Sequence, residues 1–232
     1  MRLLLLSNST MKGESYLGWP QPYLDSFLKS IDEILFVPFA GVTMSYDEYT
    51  SSVTKALLPT NTKVVGIHNV EDKNAAIRNA QCIAVGGGNT FHLLASMQEA
   101  GILGSISDAV KSGASFIGWS AGSNVACPTI KTTNDMPIVQ PDSFTALNLI
   151  DFQINAHYTI KTIEGHGGES RDLRIKELLV VNEGMKVVGL PEGKLLELDD
   201  NRWYLKGIES EPTLLFSANN EPIELKEGLV EI

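Results

Sequence analysis

The sequence predicts an α/β fold in which a doubly wound, mostly parallel sheet is sandwiched by helices, with a small antiparallel edge at its C-terminal end. Short, uninterrupted apolar runs recur along the chain, as in strands that are covered on both faces. Stretches with helical spacing separate these runs, an alternation typical of parallel sheets with right-handed crossovers. The 232 residues contain no linker, repeat or low-complexity segment, so we expect a single domain over residues 1–232.

The predicted strands are the apolar runs, each of which ends at or near Gly, Pro, Ser or Asn. In chain order they are Leu3–Leu6, Ile34–Phe39, Val64–Ile67, Cys82–Val85, Ser115–Trp119, Phe152–Ile154 and Val187–Leu190. The helices predicted between them are Pro22–Ile31, Tyr46–Leu58, Asp72–Asn79, Thr90–Ala100, Ser105–Lys111 and Ser170–Val181. From Lys194 onward, short strand-like pieces alternate with turn signals such as Asp199-Asp200-Asn201, which predicts the antiparallel edge.

Composition excludes several classes of partner. The chain has 18 basic and 28 acidic residues and a net charge of −10, which argues against a nucleic-acid backbone as partner. No stretch approaches the roughly 20 apolar residues of a membrane span, and the Leu3–Leu6 run is too short for a signal peptide. Only two cysteines occur, Cys82 and Cys127, both in apolar surroundings. We therefore expect a cytoplasmic protein with no membrane partner, either a monomer or a homodimer.

The segment Gly118-Trp119-Ser120-Ala121-Gly122 is the most informative motif. A G-x-S-x-G turn between a strand and a helix lifts the serine hydroxyl above the sheet edge, and it needs glycine on both sides because the backbone is crowded there. The N–H of the residue after the serine then points to where an oxyanion would form. This motif predicts Ser120 as a nucleophile and Ala121 as an oxyanion donor.

A second glycine loop, Gly86-Gly87-Gly88, follows another predicted strand. Its glycine spacing is not G-x-G-x-x-G, and no G-K-[ST] follows it. The loop therefore matches neither of the two nucleotide-binding patterns. We interpret it as the partner of the serine turn, with the Gly88 N–H as the second oxyanion donor. The alternative is a tight turn alone, with Asn89 or Thr90 capping the next helix.

A nucleophilic serine needs a base, and the chain offers four histidines. His157 directly follows a predicted strand and is favoured over His68. Two acids compete to orient it: Glu192, which also follows a strand, and Asp135, which lies in the loop Thr132–Pro137. The carboxyl ends of parallel strands form a ligand crevice, and this common edge favours Glu192.

Several segments carry a resemblance to a known family: LLLLSNST, FVPFAGVT-x₃-DEYT, VGGGNTF-x-LL, IGWSAG, ACPTI-x-TTNDMPIV and GLPEG. With these spacings, residues 1 to about 193 resemble the peptidase E family of serine-type aspartyl dipeptidases, which shares the class I glutamine amidotransferase-like fold. The resemblance implies a cytoplasmic exopeptidase that releases aspartate from Asp-Xaa dipeptides without metal or cofactor. It implies Ser120 as nucleophile and His157 as base, and it leaves Asp135 and Glu192 both open as the third member.

Three rival classes are weaker. A glutamine amidotransferase uses a cysteine where this chain has Ser120. An α/β-hydrolase esterase has the same serine motif, but only 36 residues separate Ser120 from His157 here, too few for the intervening elements of that fold. A non-catalytic amidotransferase-like binding domain would not need serine and histidine together.

Recognition of aspartate requires a cation, because an unpaired buried carboxylate is strongly disfavoured. Lys131, Arg171 and Arg174 are the candidates, and Arg171 is favoured because guanidinium grips a carboxylate through two parallel hydrogen bonds. It follows a glycine-rich segment, Glu164–Glu169, that we expect to close over substrate. Neutral donors are expected from Asn89 and from Thr132 or Thr133, and Asp135 is then available for the substrate's α-ammonium. The alternative is a surface pair of Arg171 with Glu169 or Asp172.

Overall fold

A computed structural model of the protein describes residues 1–162 and 168–232. The strands are β1 (Leu3–Leu6), β2 (Glu33–Val37), β3 (Lys63–Gly66), β4 (Cys82–Val85), β5 (Ser115–Trp119), β6 (Gln153–Tyr158), β7 (Lys186–Pro191), β8 (Lys194–Asp199), β9 (Arg202–Gly207), β10 (Thr213–Ser217), β11 (Ile223–Leu225) and β12 (Gly228–Val230). The α-helices are α1 (Gln21–Leu28), α2 (Tyr46–Ala56), α3 (Lys73–Asn79), α4 (Thr90–Glu99), α5 (Leu103–Lys111), α6 (Ala121–Ala126) and α7 (Arg171–Val181).

The strands form two sheets. The larger sheet has the order β12-β9-β8-β1-β5-β4-β2-β3, in which the five strands from β1 to β3 pair in parallel and β8, β9 and β12 pair antiparallel. The smaller sheet has the order β11-β10-β7-β6, with β6 and β7 parallel and the other pairs antiparallel. The predicted α/β class, the mostly parallel sheet and the antiparallel C-terminal edge are confirmed. The apolar runs at β6 and β7 belong to the smaller sheet rather than to the larger one.

Burial explains why the strands show no polar alternation. Every residue of β1 is completely buried, and its side chains face two apolar clusters in turn. Leu3 and Leu5 belong to the cluster that contains Ile83 of β4, whereas Leu4 and Leu6 pack with Trp119. A strand covered on both faces buries every side chain, so it reads as one continuous apolar run.

The smaller sheet packs onto the larger one through the first of these clusters. Ile154 of β6 and Val188 and Leu190 of β7 share that cluster with Leu3 and Leu5 of β1. This packing brings the carboxyl ends of β6 and β7 to the same side as the carboxyl ends of β1 and β5. Within the described ranges, no helix has the length and hydropathy needed to cross a lipid bilayer.

Candidate active site

Ser120 occupies a strained turn between β5 and α6. Its φ of 52° and ψ of −113° are rare for a residue with a side chain, so the surrounding structure must hold the turn. The Ser120 N–H donates to the carbonyl of Leu6 at 3.1 Å. A Cβ atom at Gly118 would lie 2.5 Å from the Gly122 carbonyl oxygen, and one at Gly122 would lie 2.0 Å from that of Val85. Both glycines of the motif are therefore required by close backbone packing.

His157 lies at a bulge near the end of β6, between Ala156 and Tyr158, with a φ of 54°. Its Nε2 is 3.0 Å from Ser120 Oγ, and its Nδ1 is 2.7 Å from Glu192 Oε1. A proton on Nδ1 donates to the Glu192 carboxylate, which leaves the Nε2 lone pair for the serine hydroxyl. The structure thus brings Ser120, His157 and Glu192 into one chain of hydrogen bonds.

The histidine and the glutamate are open to solvent. Their side chains are 41% and 52% exposed, respectively. A pair this exposed adds little to the free energy of unfolding because water screens it. What the Glu192 carboxylate supplies is the orientation of the imidazole ring.

Asp135 has other partners. Its Oδ2 accepts from the backbone N–H of Thr90 at 2.7 Å and from the Thr90 hydroxyl at 2.6 Å, and the Thr133 hydroxyl lies 3.1 Å away. Thr90 is the first residue of α4, and a carboxylate at a helix N-terminus is favoured by the helix dipole. The structure joins Asp135 to the start of α4 and does not bring it to His157.

The glycine loop packs tightly against the segment after β2. Gly88 has a φ of +139°, and a Cβ atom there would lie 2.1 Å from the Ala40 carbonyl oxygen. The same carbonyl accepts from the Asn89 N–H at 2.9 Å. Within residues 1–162 and 168–232, the N–H groups of Gly88 and Ala121 have no protein acceptor. Both sites predicted as oxyanion donors thus carry an unpaired N–H.

Ser120 and His157 open onto a cavity of about 580 Å³. Gly87, Gly88 and Asn89 form part of its wall. Its lining also includes three apolar side chains that are about half-exposed: Val42, Met44 and Ile138. The cavity is large enough for a small peptide, and the serine lies at its wall.

The neutral donors predicted for substrate already have protein partners. Asn89 caps α4, with its Oδ1 accepting from His92 N–H at 3.0 Å and its Nδ2 donating to the Met136 carbonyl at 2.8 Å. The Thr132 hydroxyl is buried and donates to Ile154 of β6, and the Thr133 hydroxyl lies 3.0 Å from Thr90 Oγ1. Of the three, Asn89 is the one in the cavity wall.

Arg171, the first residue of α7, points toward β6. Its guanidinium donates to Asn134 Oδ1, and the Asn134 amide donates to the Ala156 carbonyl at 2.8 Å, one residue before His157. Burial, together with the charge of Arg174, lowers the pKa of Arg171. A guanidinium is not deprotonated in proteins, so the side chain carries its charge at neutral pH.

The carboxylates near Arg171 are engaged elsewhere. Asp172 accepts from the Tyr158 hydroxyl at 2.5 Å, and Glu169 lies 3.9 Å from Arg174. In the part of the chain that the structure describes, Arg171 forms no ion pair, so the alternative of a surface pair with Glu169 or Asp172 is not seen. Lys131 Nζ donates to Asn182 Oδ1 at 3.0 Å, and Lys131 does not line the cavity that contains Ser120.

Three other predictions from the sequence can be compared with the structure. His68, the second candidate base, lies 2.9 Å from Asp47 rather than beside Ser120. The segment expected to close over substrate falls mostly on residues 163–167, which lie outside the described residues. Among the residues that are described, no group of three or more His, Cys, Asp or Glu side chains is arranged to hold a metal ion.

The sequence analysis predicts no role for two residues at this edge, Ser7 and Asn8, although both lie in the segment LLLLSNST. Ser7 Oγ accepts from the His157 N–H at 2.8 Å, and Asn8 Oδ1 accepts from the Gly193 N–H at 2.8 Å, beside Glu192. The signal that points to them is positional. They are polar residues that directly follow a fully buried strand, and both are buried themselves.

Comparison with known proteins gives concordant matches. The model of peptidase family S51 matches residues 3–205. Relatives named Peptidase E from Escherichia coli strain K12 and Salmonella newport are each 49% identical over 228 residues, covering 98% of this chain and 99% of theirs.

Solved structures agree on the fold. A putative peptidase E from Listeria monocytogenes has a TM-score of 0.64 at 21% identity, covering 90% of this chain and 98% of that one. A peptidase from an acI-B1 Actinobacterium has a TM-score of 0.59 at 16% identity, covering 97% and 96%. At these identities the likeness concerns the fold alone.

The full-length similarity to the peptidase E relatives supports the function expected from the sequence, a serine-type dipeptidase. It does not favour the esterase or the binding-domain alternative. The resemblance to the peptidase E family, the predicted fold class and the prediction that the protein is an enzyme are all confirmed. The chain belongs to peptidase family S51.

Proposed function

We propose that this peptidase releases N-terminal aspartate from Asp-Xaa dipeptides through an acyl-enzyme on Ser120. The observation that carries the proposal is the hydrogen-bonded chain at the cavity wall, with 3.0 Å between Ser120 Oγ and His157 Nε2 and 2.7 Å between His157 Nδ1 and Glu192. A serine hydroxyl is a poor nucleophile at neutral pH unless a base accepts its proton as it attacks. In this proposal His157 is that base, and Glu192 is the acid that orients it.

In the first half of the reaction, Ser120 Oγ attacks the scissile carbonyl carbon while its proton passes to His157 Nε2. The carbonyl oxygen becomes an oxyanion, which the N–H groups of Gly88 and Ala121 stabilise in their fixed positions. His157 then gives its proton to the departing amine of the Xaa residue. The peptide bond breaks, and aspartate stays bound to Ser120 as an ester.

In the second half, His157 takes a proton from water, which attacks the ester carbonyl. A second tetrahedral intermediate forms in the same oxyanion site. It collapses as His157 returns the proton to Ser120 Oγ, and free aspartate leaves. Glu192 stays ionised throughout and stabilises the imidazolium that forms in each half.

For substrate recognition we assign the β-carboxylate of aspartate to Arg171. Its charge has no carboxylate partner among the described residues, and Asn134 links it to the strand that carries His157. Asn89 lines the cavity that contains Ser120 and His157, whereas Arg171 lines a separate pocket with Thr159 and Lys161, so in this proposal the guanidinium reaches the carboxylate when substrate binds. For Asp135 we assign support of α4, since its carboxylate already accepts from Thr90. Its pairing with the substrate's α-ammonium stays a prediction, as does a contact from Thr132 or Thr133.

The decisive experiment replaces Ser120 by alanine. Turnover of Asp-Leu should fall by up to about 10⁶-fold, as when other serine peptidases lose their nucleophile, and a fluorophosphonate probe should no longer label the protein. Ser115→Ala is the matched control, because it changes a buried serine at the opposite end of β5. It should keep both labelling and turnover. An active, labelled Ser120→Ala variant would refute the proposal.

We also propose a cytoplasmic location and a monomer or homodimer. Cys82 and Cys127 are free and buried, and burial raises the pKa of each thiol to about 12, so both stay protonated and unreactive. Cell fractionation tests the location, and sedimentation equilibrium tests the oligomeric state. A protein found outside the cytoplasm would contradict the first proposal, and a higher oligomer the second.

A further inference from the structure

Ser7 lies directly after β1 and is completely buried. Its hydroxyl accepts from the His157 backbone N–H at 2.8 Å and donates to the Leu190 carbonyl at 2.8 Å. Its own N–H donates to the Lys194 carbonyl at 3.0 Å. One hydroxyl therefore joins the strand that carries His157 to the strand that leads into Glu192.

His157 needs such a partner because its backbone leaves the regular strand geometry. It is the bulged residue between Ala156 and Tyr158, and its φ of 54° is unfavourable for a residue with a side chain. A bulged residue does not pair in the strand ladder, so its N–H requires an acceptor from outside the sheet. Ser7 Oγ is that acceptor.

The adjoining residue of β1 holds the nucleophile. The Leu6 carbonyl accepts from the Ser120 N–H at 3.1 Å and from the Ser123 hydroxyl at 2.7 Å. Leu6 and Ser7 thus hold Ser120 and His157 through consecutive residues of one strand end. Ser120 directly follows β5 of the larger sheet, and His157 lies in β6 of the smaller sheet. This strand end therefore lies at the junction between the two residues that exchange the proton in the proposed mechanism.

We infer that Ser7 is a positioning residue for the base. It holds the His157 backbone in the bulged conformation that keeps Nε2 within reach of Ser120 Oγ, and it is absent from the cavity wall. This inference rests on the proposed function. Loss of the hydroxyl leaves the His157 N–H and the Leu190 carbonyl without this partner, and the imidazole is then free to shift from the serine. The substrate pocket itself is unchanged.

The test measures Ser7→Ala with Asp-Leu. We expect kcat to fall about 100-fold, the typical effect of a misplacement near 1 Å, with KM within twofold of the wild-type value. The rate of fluorophosphonate labelling at Ser120 should fall in parallel, because the probe requires the same base. The threonine and valine side chains have nearly equal volume, but only threonine has a hydroxyl. The Ser7→Thr variant should therefore be at least tenfold more active than the Ser7→Val variant. This pair carries the test if Ser7→Ala does not fold.

Thr62→Val is the control for loss of a buried hydroxyl that bonds to backbone. Thr62 donates to the Ile31 carbonyl at 3.1 Å, far along the chain from every residue of the site. It should lower the melting temperature without changing kcat. A folded Ser7→Ala variant with wild-type kcat, or equal activities of the Thr and Val variants, would overturn the inference. Ser120→Ala is assayed beside them, since only its retained activity would indicate that the proposed function itself is wrong.

Discussion

Single residues distinguish the two acids that the sequence leaves open. Glu192 contacts the imidazole, whereas Asp135 accepts from the first residue of a helix. The same functional group therefore contacts an imidazole in one place and the N-terminus of a helix in the other. The difference lies in the neighbouring donors: an imidazole N–H for Glu192, and a backbone N–H with a hydroxyl for Asp135. Substitutions of the two residues should therefore have different effects on kcat and on stability.

Glu192→Gln should lower kcat for Asp-Leu by roughly 10²- to 10⁴-fold with KM little changed. The amide NH₂ of glutamine donates to Nδ1, which moves the ring proton to Nε2 and removes the base. Asp135→Asn should change kcat by less than threefold and lower the stability by about 1 kcal/mol, because the charge at the helix N-terminus is lost. Steady-state kinetics and thermal melts measure both. Exchanged phenotypes would make Asp135 the orienting acid.

Arg171→Ala should reduce kcat/KM for Asp-Leu by roughly 30- to several-thousand-fold, the range typical for loss of a buried charge partner. Arg174→Ala is the matched control on the same helix, since its side chain is 61% exposed and lies beside Glu169. Ser120 in the Arg171 variant should still react with a fluorophosphonate. Normal cleavage of Asp-Leu by Arg171→Ala would place the specificity cation elsewhere.

Among the structural elements, the segment after β6 is held by a single carboxylate from the β9–β10 connection. Glu211 accepts from the Ile160 N–H at 2.8 Å and from the Thr159 hydroxyl at 2.9 Å, and Lys161 lies 3.1 Å away. Burial alone raises the pKa of Glu211, but the hydrogen bonds from Ile160, Lys161 and Thr159 outweigh it and hold the pKa below its usual 4.5.

A carboxyl whose pKa is lower in the folded state stabilises the protein above its unfolded pKa, and this stability is lost as the pH falls through the folded pKa. Wild-type protein should therefore melt at a higher temperature than Glu211→Gln at pH 7, and the gap should close below about pH 4. Glu209→Gln, an exposed neighbour, is the control and should show no gap. A gap that is constant with pH would contradict this role.

The sequence predicts these elements unevenly, for physical reasons. Ser120 and His157 were predictable because each follows an apolar run, and strand ends gather polar residues into a crevice. That β6 and β7 belong to a second sheet was not predictable, because a strand covered on both faces has the same apolar pattern in either sheet. Ser7 was missed because its role depends on a bulge in β6, and no local pattern marks that bulge.

In the molecule as a whole, both sheets share one apolar cluster. Ile154 and Val188 of the smaller sheet pack in the same cluster as Leu3, Leu5 and Ile83 of the larger sheet. We propose that this common core makes the chain a single domain. Neither sheet would retain its buried face if the other unfolded.

Urea should therefore unfold the protein in one cooperative transition. Far-UV circular dichroism reports on both sheets. Tryptophan fluorescence reports on Trp19, Trp119 and Trp203, which pack with or belong to the larger sheet, and Trp203 also contacts Phe152 beside β6. The two probes should give the same midpoint. Two separated transitions would divide the chain into two domains.

The pairing of β1 with β8 also has a consequence for protein synthesis. β1 has β5 on one side and β8 on the other, and β8 follows directly after Glu192 and Gly193. A nascent chain that ends between Ser120 and Glu192 therefore lacks both the proposed acid of the site and the strand that closes this edge of β1. Because the proposed mechanism needs that acid, we expect peptide hydrolysis only after translation has passed Glu192.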